Sequence, residues 1–449
     1  MFIGHENTFS TSTNSSRWRA MNAEWPNSSW LERPLYSRPW RGSLSHRTGY
    51  WVVAFAFLMN MAMSAIPTPL YGLYRQRDGL SSFMITVIFA VYAVSVIASL
   101  FLAGHVSDWI GRRRVLVTGL YVNVVSAVVF IFAPSLTGLI VARIISGISV
   151  GLATATATAY LTDLHFQAYP LANRRRAELM AIFVNFGGIG LGPLISGLIS
   201  QNAPAPLVLP YVVTGLVLVG LATLVLATPE TVSAPQVRTR WRPQHIAVPA
   251  ESRGQFFAGA VAGLTAFAVY GVFSSLVPRF LADTLGSDSR SLAGAVAFSA
   301  FISGAVAQIA LSRMKPAAML RVSVPILLAG LTMLVVGMWF AFLAVFVVGG
   351  IVTGAGAGLV FRGAMDRAGE AAPAQSRAEV MAGFFLASYL GLSLPVIGLG
   401  VALSFAAARE VMLAFVIVVA LAIVLSVRSA TREPLDRAGV RRQLLPTEN

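Results

Sequence analysis

Twelve stretches of this chain are each apolar over about the length needed to cross a lipid bilayer, and that repetition leaves few folds open. They run roughly over 50–74, 83–103, 115–133, 136–161, 177–199, 207–228, 254–278, 292–311, 322–340, 342–361, 380–405 and 409–427. A helix advances about 1.5 Å per residue, so crossing the ~30 Å hydrocarbon slab takes about 20 such residues. Only 11% of the residues are charged, against roughly 25% in soluble domains. Strands of an outer-membrane barrel are about 10 residues long and alternate in polarity, whereas these runs are unbroken. The expectation is an all-α membrane protein with twelve transmembrane helices, and an even number of crossings brings both termini to one side.

A formal net charge of +15 would, in a soluble chain, suggest a polyanionic partner. Its distribution argues otherwise. Of the 33 Lys and Arg, 27 fall on the side of the termini, five in the opposite loops (Arg75, Arg77, Arg279, Arg290, Arg409), and one, Arg143, within a span. Short loops rich in Lys and Arg stay in the cytoplasm. The charge therefore encodes topology: a multi-pass protein of the bacterial inner (plasma) membrane with both termini cytoplasmic and no nucleic-acid partner. Residues 1–48 are polar and lack the apolar core of a secretory signal, and read as a cytoplasmic tail. Cysteine is absent, which removes disulfide and thiol chemistry.

The chain is internally repeated. Arg176-Ala-Glu-Leu-Met-Ala-Ile-Phe183 matches Arg377-Ala-Glu-Val-Met-Ala-Gly-Phe384, and Gly190-Leu191 matches Gly391-Leu392 at the same offset. Gly147 and Gly151 answer Gly350 and Gly354. With the polar stretch between them, these repeats predict a six-helix bundle over 49–228, a cytoplasmic central linker over 229–253, a second six-helix bundle over 254–428 and a cytoplasmic tail over 429–449.

Between the second and third spans stands Gly104-His-Val-Ser-Asp108-Trp-Ile-Gly111-Arg112-Arg113-Arg114. This loop resembles the Gly-x-x-x-Asp-Arg/Lys-x-Gly-Arg-Arg/Lys signature of the major facilitator superfamily of secondary transporters through Gly104, Asp108, Gly111, Arg112 and Arg113. Trp109 stands where the family usually has a basic residue. The resemblance implies two pseudo-symmetric six-helix bundles, a site at the midplane between them, and alternating access. It further implies a small-molecule substrate, protons as the coupling ion, no cofactor, no metal and a monomer in the bilayer.

Arg143 lies about seven residues into the fourth span, in Arg-x-x-x-Gly147-x-x-x-Gly151, similar to the family's fourth-helix motif; Ser146 takes the place of its usual Gln. An Arg at the centre of a membrane helix costs about 2.5–3.5 kcal/mol, so its retention points to function; reaching the outer headgroups by snorkelling is the alternative. In the fifth span, Gly188, Gly192, Pro193 and Gly197 resemble the Gly-x-x-x-Gly-Pro-x-x-Gly-Gly motif of exporters in this family, with Ser196 replacing one Gly. Pro193 kinks the helix, and the small residues let it slide. Candidate cavity residues are Asn60, Ser64, Tyr71, Ser149, Tyr270, Ser274 and Thr353, with Asn185 and Gln308 adding hydrogen bonds. Phe267, Phe273 and Met61 make the expected pocket largely apolar, which suits amphiphilic substrates. No Asp or Glu lies mid-span; Asp163, at the cytoplasmic end of the fourth, is read with Asp108 as a gating carboxylate.

An embedded enzyme is disfavoured. All five histidines lie outside the twelve apolar runs and are expected in loops or the tail, and general acid–base chemistry needs such groups within reach of the substrate. The function expected is proton-coupled efflux of amphiphilic organic compounds; the alternative is a proton-coupled uptake symporter for a small metabolite.

Overall fold

The computed structural model describes residues 44–104, 106–171, 173–232, 248, 253–372 and 377–431. The tail segments 1–43 and 432–449 and most of the expected linker, 233–247 and 249–252, lie outside the described residues. Within them, twelve helices are long and apolar enough to span a membrane. In chain order they are α1 His46–Ala65, α2 Ser82–Ala103, α3 Arg112–Phe132, α4 Leu136–Ala168, α5 Arg174–Asn202 and α6 Leu209–Leu226. The second set is α7 Arg253–Ser275, α8 Arg290–Ala310, α9 Pro316–Trp339, α10 Leu343–Ala371, α11 Arg377–Ala402 and α12 Ala408–Thr431.

Helix starts follow local chemistry. Ser81, Ser135 and Ser289 cap α2, α4 and α8 by accepting backbone N–H groups three residues on, at 3.2, 3.3 and 3.2 Å. Each satisfies a donor that the first turn leaves orphaned. Pro210 and Pro316 sit at the first turns of α6 and α9, where a missing N–H costs nothing.

Two expected spans are shorter than their apolar runs. The run 50–74 breaks after Ala65 at Pro67-Thr68-Pro69 and resumes as a short helix, Tyr71–Asp78. The run 254–278 stops at Ser275, and a separate helix Val277–Leu285 begins beside Pro278. Proline lacks the N–H and clashes with the preceding turn, while hydropathy alone does not register either fact.

α1 and α7 are the innermost helices: 72% and 78% of their apolar windows are buried, against 39% for α9 and α12. Lipid provides no hydrophobic drive between helices, so close packing of small residues does that work. α5 lies between α1 and α8. A methyl group on Gly188 or Gly192 would collide with the carbonyls of Leu58 and Ala62 on α1, and one on Gly197 with the Arg290 carbonyl on α8. α11 repeats the arrangement, with Gly391 against the Leu264 carbonyl of α7 and Gly400 against Thr86 of α2. The two bundles thus meet along two equivalent seams, α5 with α8 and α11 with α2. On the face away from Leu44 and Thr431, Arg279 bonds Ser82 Oγ and the Leu403 carbonyl, and Arg290 bonds the Ser200 carbonyl and, through its N–H, Gln201 Oε1 at 2.9 Å.

Candidate functional site

Arg143 is 1% exposed and projects from α4 into the break that follows α1. A continuing helix would direct the Thr68 N–H to the Ser64 carbonyl, but that N–H goes to Ala65 O at 3.2 Å. Arg143 Nη1 donates to the vacated Ser64 carbonyl at 2.6 Å. Its Nε donates to Tyr71 Oη at 3.1 Å, and Nη2 donates to the same oxygen. The guanidinium carbon also lies 5.5 Å from the Tyr71 ring centroid and 5.1 Å from that of Tyr92. Tyr92 Oη donates to Ser64 Oγ at 3.4 Å, and Ser64 Oγ donates to the Met61 carbonyl at 2.7 Å. Among the described residues, Arg143 forms no ion pair with a carboxylate. A helix C-terminus carries partial negative charge and aromatic faces attract cations, so the charge is held by dipoles and π faces alone. The side chain turns inward rather than snorkelling. Its counterpart in the second bundle, Phe346, packs on Gly337 of α9.

The α2–α3 loop residues converge on the face that carries Leu44 and Thr431. Arg112 pairs with Asp108 at 2.5 Å and with Asp163 of α4 at 3.4 Å, and donates to Ser107 Oγ at 2.6 Å. Arg113 Nη1 reaches the Thr228 carbonyl at 3.1 Å. Gly104 closes α2, and Gly111 turns into α3 with φ +107°, a conformation that favours glycine. A Cβ at Gly111 would meet Glu230 Oε2 at 2.5 Å. Glu230 caps α3 by accepting the N–H groups of Arg112 and Arg113 at 2.9 and 3.1 Å, and Thr231 Oγ1 joins the cluster by donating to Asp163 at 3.1 Å. Sequence reasoning missed Glu230. Its one signal was a carboxylate just past the sixth apolar run; the chain separation from α3 hid the rest.

The remaining candidates divide. Asn60 and Ser149 face α3: Asn123 Nδ2 donates to Asn60 Oδ1 at 3.0 Å, and Ser149 Oγ donates to Asn60 Oδ1 at 3.1 Å and to the Gly119 carbonyl at 2.7 Å. Thr353 faces Gly330 of α9. These three were expected to line the cavity, yet they point to outer helices, and Asn60 Nδ2 and Thr353 Oγ1 are buried there without a hydrogen-bond partner. Tyr270 stays central. Its hydroxyl donates to the Gly354 carbonyl at 2.9 Å, and its ring stacks on Phe301 with centroids 4.7 Å apart. Phe186 of α5 reaches across to Tyr270 at 5.4 Å and Phe361 at 6.2 Å, and Phe267 contacts Phe361 at 4.9 Å and Tyr389 at 5.4 Å. Asn185 is half-buried beside Phe186, Ser274 is buried on α7, and Gln308 is buried with Nε2 unpartnered. The seam's middle is thus an aromatic cluster contributed by both bundles, of which the sequence reading held Phe267 and Tyr270.

Two paired bundles, a proline inside the helix at each seam (Pro193 in α5, Pro395 in α11) and a buried cation beside a broken helix set this membrane protein apart. The family model of the Major Facilitator Superfamily matches residues 53–394, and the chain belongs to that family. It is 28% identical over 268 residues to the multidrug resistance protein MdtL of Klebsiella pneumoniae (strain 342), covering 58% of this chain and 65% of that relative. The chain thus spans just under two thirds of that relative's length. A shorter match, 27% over 124 residues, links it to the arabinose-proton symporter of Bacillus subtilis (strain 168), covering 28% of this chain and 26% of the symporter. The solved nucleoside transporter NupG superposes with a TM-score of 0.67 at 12% identity, covering 84% of this chain and 99% of NupG.

Proposed function

We propose that this chain exports amphiphilic organic compounds across the inner membrane in exchange for protons, by alternating access, with both termini cytoplasmic. The carrying observation is the seat of α5, whose Gly188 and Gly192 rest on α1 while Gly197 rests on α8. A helix that carries Pro193 and touches both bundles through bare backbone is suited to rocking between inward and outward states. The aromatic seam around Phe186, Tyr270 and Phe361 offers an apolar lining for rings and alkyl chains. Arg143, held without a carboxylate, serves as the coupling cation in this reading, and the Asp108–Arg112–Asp163 cluster serves as the cytoplasmic gate. The likeness to MdtL supports export; the partial likeness to a proton symporter sustains uptake as the second reading.

Everted membrane vesicles distinguish these. Export predicts that a fluorescent amphiphilic cation accumulates in energised everted vesicles and is released by an uncoupler. Gradient-driven entry of a small metabolite into right-side-out vesicles, with no accumulation in everted ones, would favour the symporter. Accumulation indifferent to the uncoupler refutes proton coupling.

A further inference from the structure

A groove of about 860 Å³ lies at the end of the bundle that carries Leu44. Its walls come from the start of α1, the end of α4, the start of α5 and the end of α8, so it bridges the two bundles. Trp51, Phe183 and Leu171 supply apolar surface, and Leu171 is fully exposed. Arg47, from α1, and Arg176, from α5, also line the groove; both are exposed, and neither forms an ion pair among the described residues. A neighbouring depression of about 590 Å³ shares Leu171, Arg176 and Ile309 and adds Arg175 and Arg313. His165 gives an independent observation. It is 7% exposed and lines the groove between Tyr50 and Tyr169, with ring centroids at 5.5 and 5.6 Å, yet its Nε2 has no hydrogen-bond partner. Buried polar atoms are rarely left unpaired without a reason, and the transport reading makes no use of this one.

We propose that this groove binds an anionic phospholipid, whose phosphate is held by Arg47, Arg176 and His165 and whose acyl chains lie over Trp51, Leu171 and Phe183. The charge is complementary: cationic rim, apolar floor, and a position at the depth where headgroups meet hydrocarbon. Basic pockets between membrane helices take anionic headgroups for this reason. A zwitterionic lipid would gain the floor but not the rim. Bound there, the lipid touches Met180 of α5 and Ile309 of α8 and so spans one of the two seams.

The test is native mass spectrometry of the full-length, delipidated protein in detergent, titrated with phosphatidylglycerol, with phosphatidylcholine, and with phosphatidylglycerol plus inorganic phosphate. The expected result is at least tenfold tighter binding of phosphatidylglycerol than phosphatidylcholine, unaffected by millimolar phosphate. The double variant Arg47→Gln/Arg176→Gln should lose about 25-fold, roughly fivefold per arginine. His165→Phe, which keeps a ring between Tyr50 and Tyr169, should lose about tenfold. Arg428→Gln, also exposed but at the end of α12, should lose nothing. Equal affinity for the two lipids, an undiminished preference in the double variant, or an equal loss in Arg428→Gln overturns the proposal. Displacement by free phosphate would make the groove an anion site, and loss of a dimer peak in the double variant would make it an interface between copies; either overturns the lipid assignment. The two arginines are exposed, so that arm reads the site even where His165→Phe fails to fold.

Discussion

Replacing Arg143 with Met separates a structural cap from a working charge. The guanidinium fills the carbonyl of Ser64 at 2.6 Å and bonds Tyr71 through two nitrogens. Removing it leaves one buried carbonyl without a donor, which costs about 1–3 kcal/mol. The same change relieves the membrane of a charge whose placement costs about 2.5–3.5 kcal/mol. The two effects oppose and are of similar size, so the detergent-solubilised variant should keep its Tm within a few degrees of the parent. Transport should not survive in the same way. A carrier that uses this cation loses a charge-assisted contact of about 1.5–3 kcal/mol, which is roughly a 10- to 150-fold fall in rate or affinity. Arg143→Lys, one ammonium against two acceptors, should fall between. The assay pairs a thermal-shift measurement with uncoupler-sensitive accumulation in everted vesicles. Parent-like transport in Arg143→Met would remove the residue from the cycle. A drop in Tm beyond about 10 °C with a proportionate loss of transport would reduce it to a cap for α1.

Three further outcomes are expected. Gly192→Val places branched carbons against the Ala62 carbonyl of α1; overpacking of this kind costs about 1–3 kcal/mol, and substrate binding by the purified protein should persist while vesicle transport falls at least tenfold. Glu230→Gln removes the charge that caps α3 through Arg112 and Arg113; a loss of about 1 kcal/mol, read as a lowered Tm, is expected, and an unchanged Tm would reject the capping role. Asp108→Asn breaks a pair whose acid is half exposed, so stability should change by less than about 1 kcal/mol while turnover slows at constant substrate affinity; a selective loss of affinity would reject the gating role.

The twelve spans were legible because hydropathy is a local property, and the duplication was legible because the Arg-Ala-Glu-x-Met-Ala-x-Phe block survives in both halves. Helix ends were less so. Pro67 and Pro69 were plain in the sequence, but the apolar count ran through them. Which way Asn60, Ser149 and Thr353 face was not readable at all: α1, α4 and α10 are apolar nearly all round, and a helix of that kind carries no stripe to mark its inward side. The cage around Arg143 was half readable. An Arg mid-span announces itself, but its acceptor is a carbonyl freed by a break in another helix, and no residue type advertises that. Glu230 is similar, a distant residue that completes a turn of α3.

The contacts of Gly192 with Ala62 and of Gly391 with Leu264 have a mechanical consequence. Where side chains interdigitate, displacement must lift each knob out of its hole and change rotamers. Here one smooth peptide surface lies on another, so a shift of an ångström or two trades one set of dispersion contacts for an equivalent set. Friction at these junctions is low by construction, and the same bareness leaves no room for an added carbon.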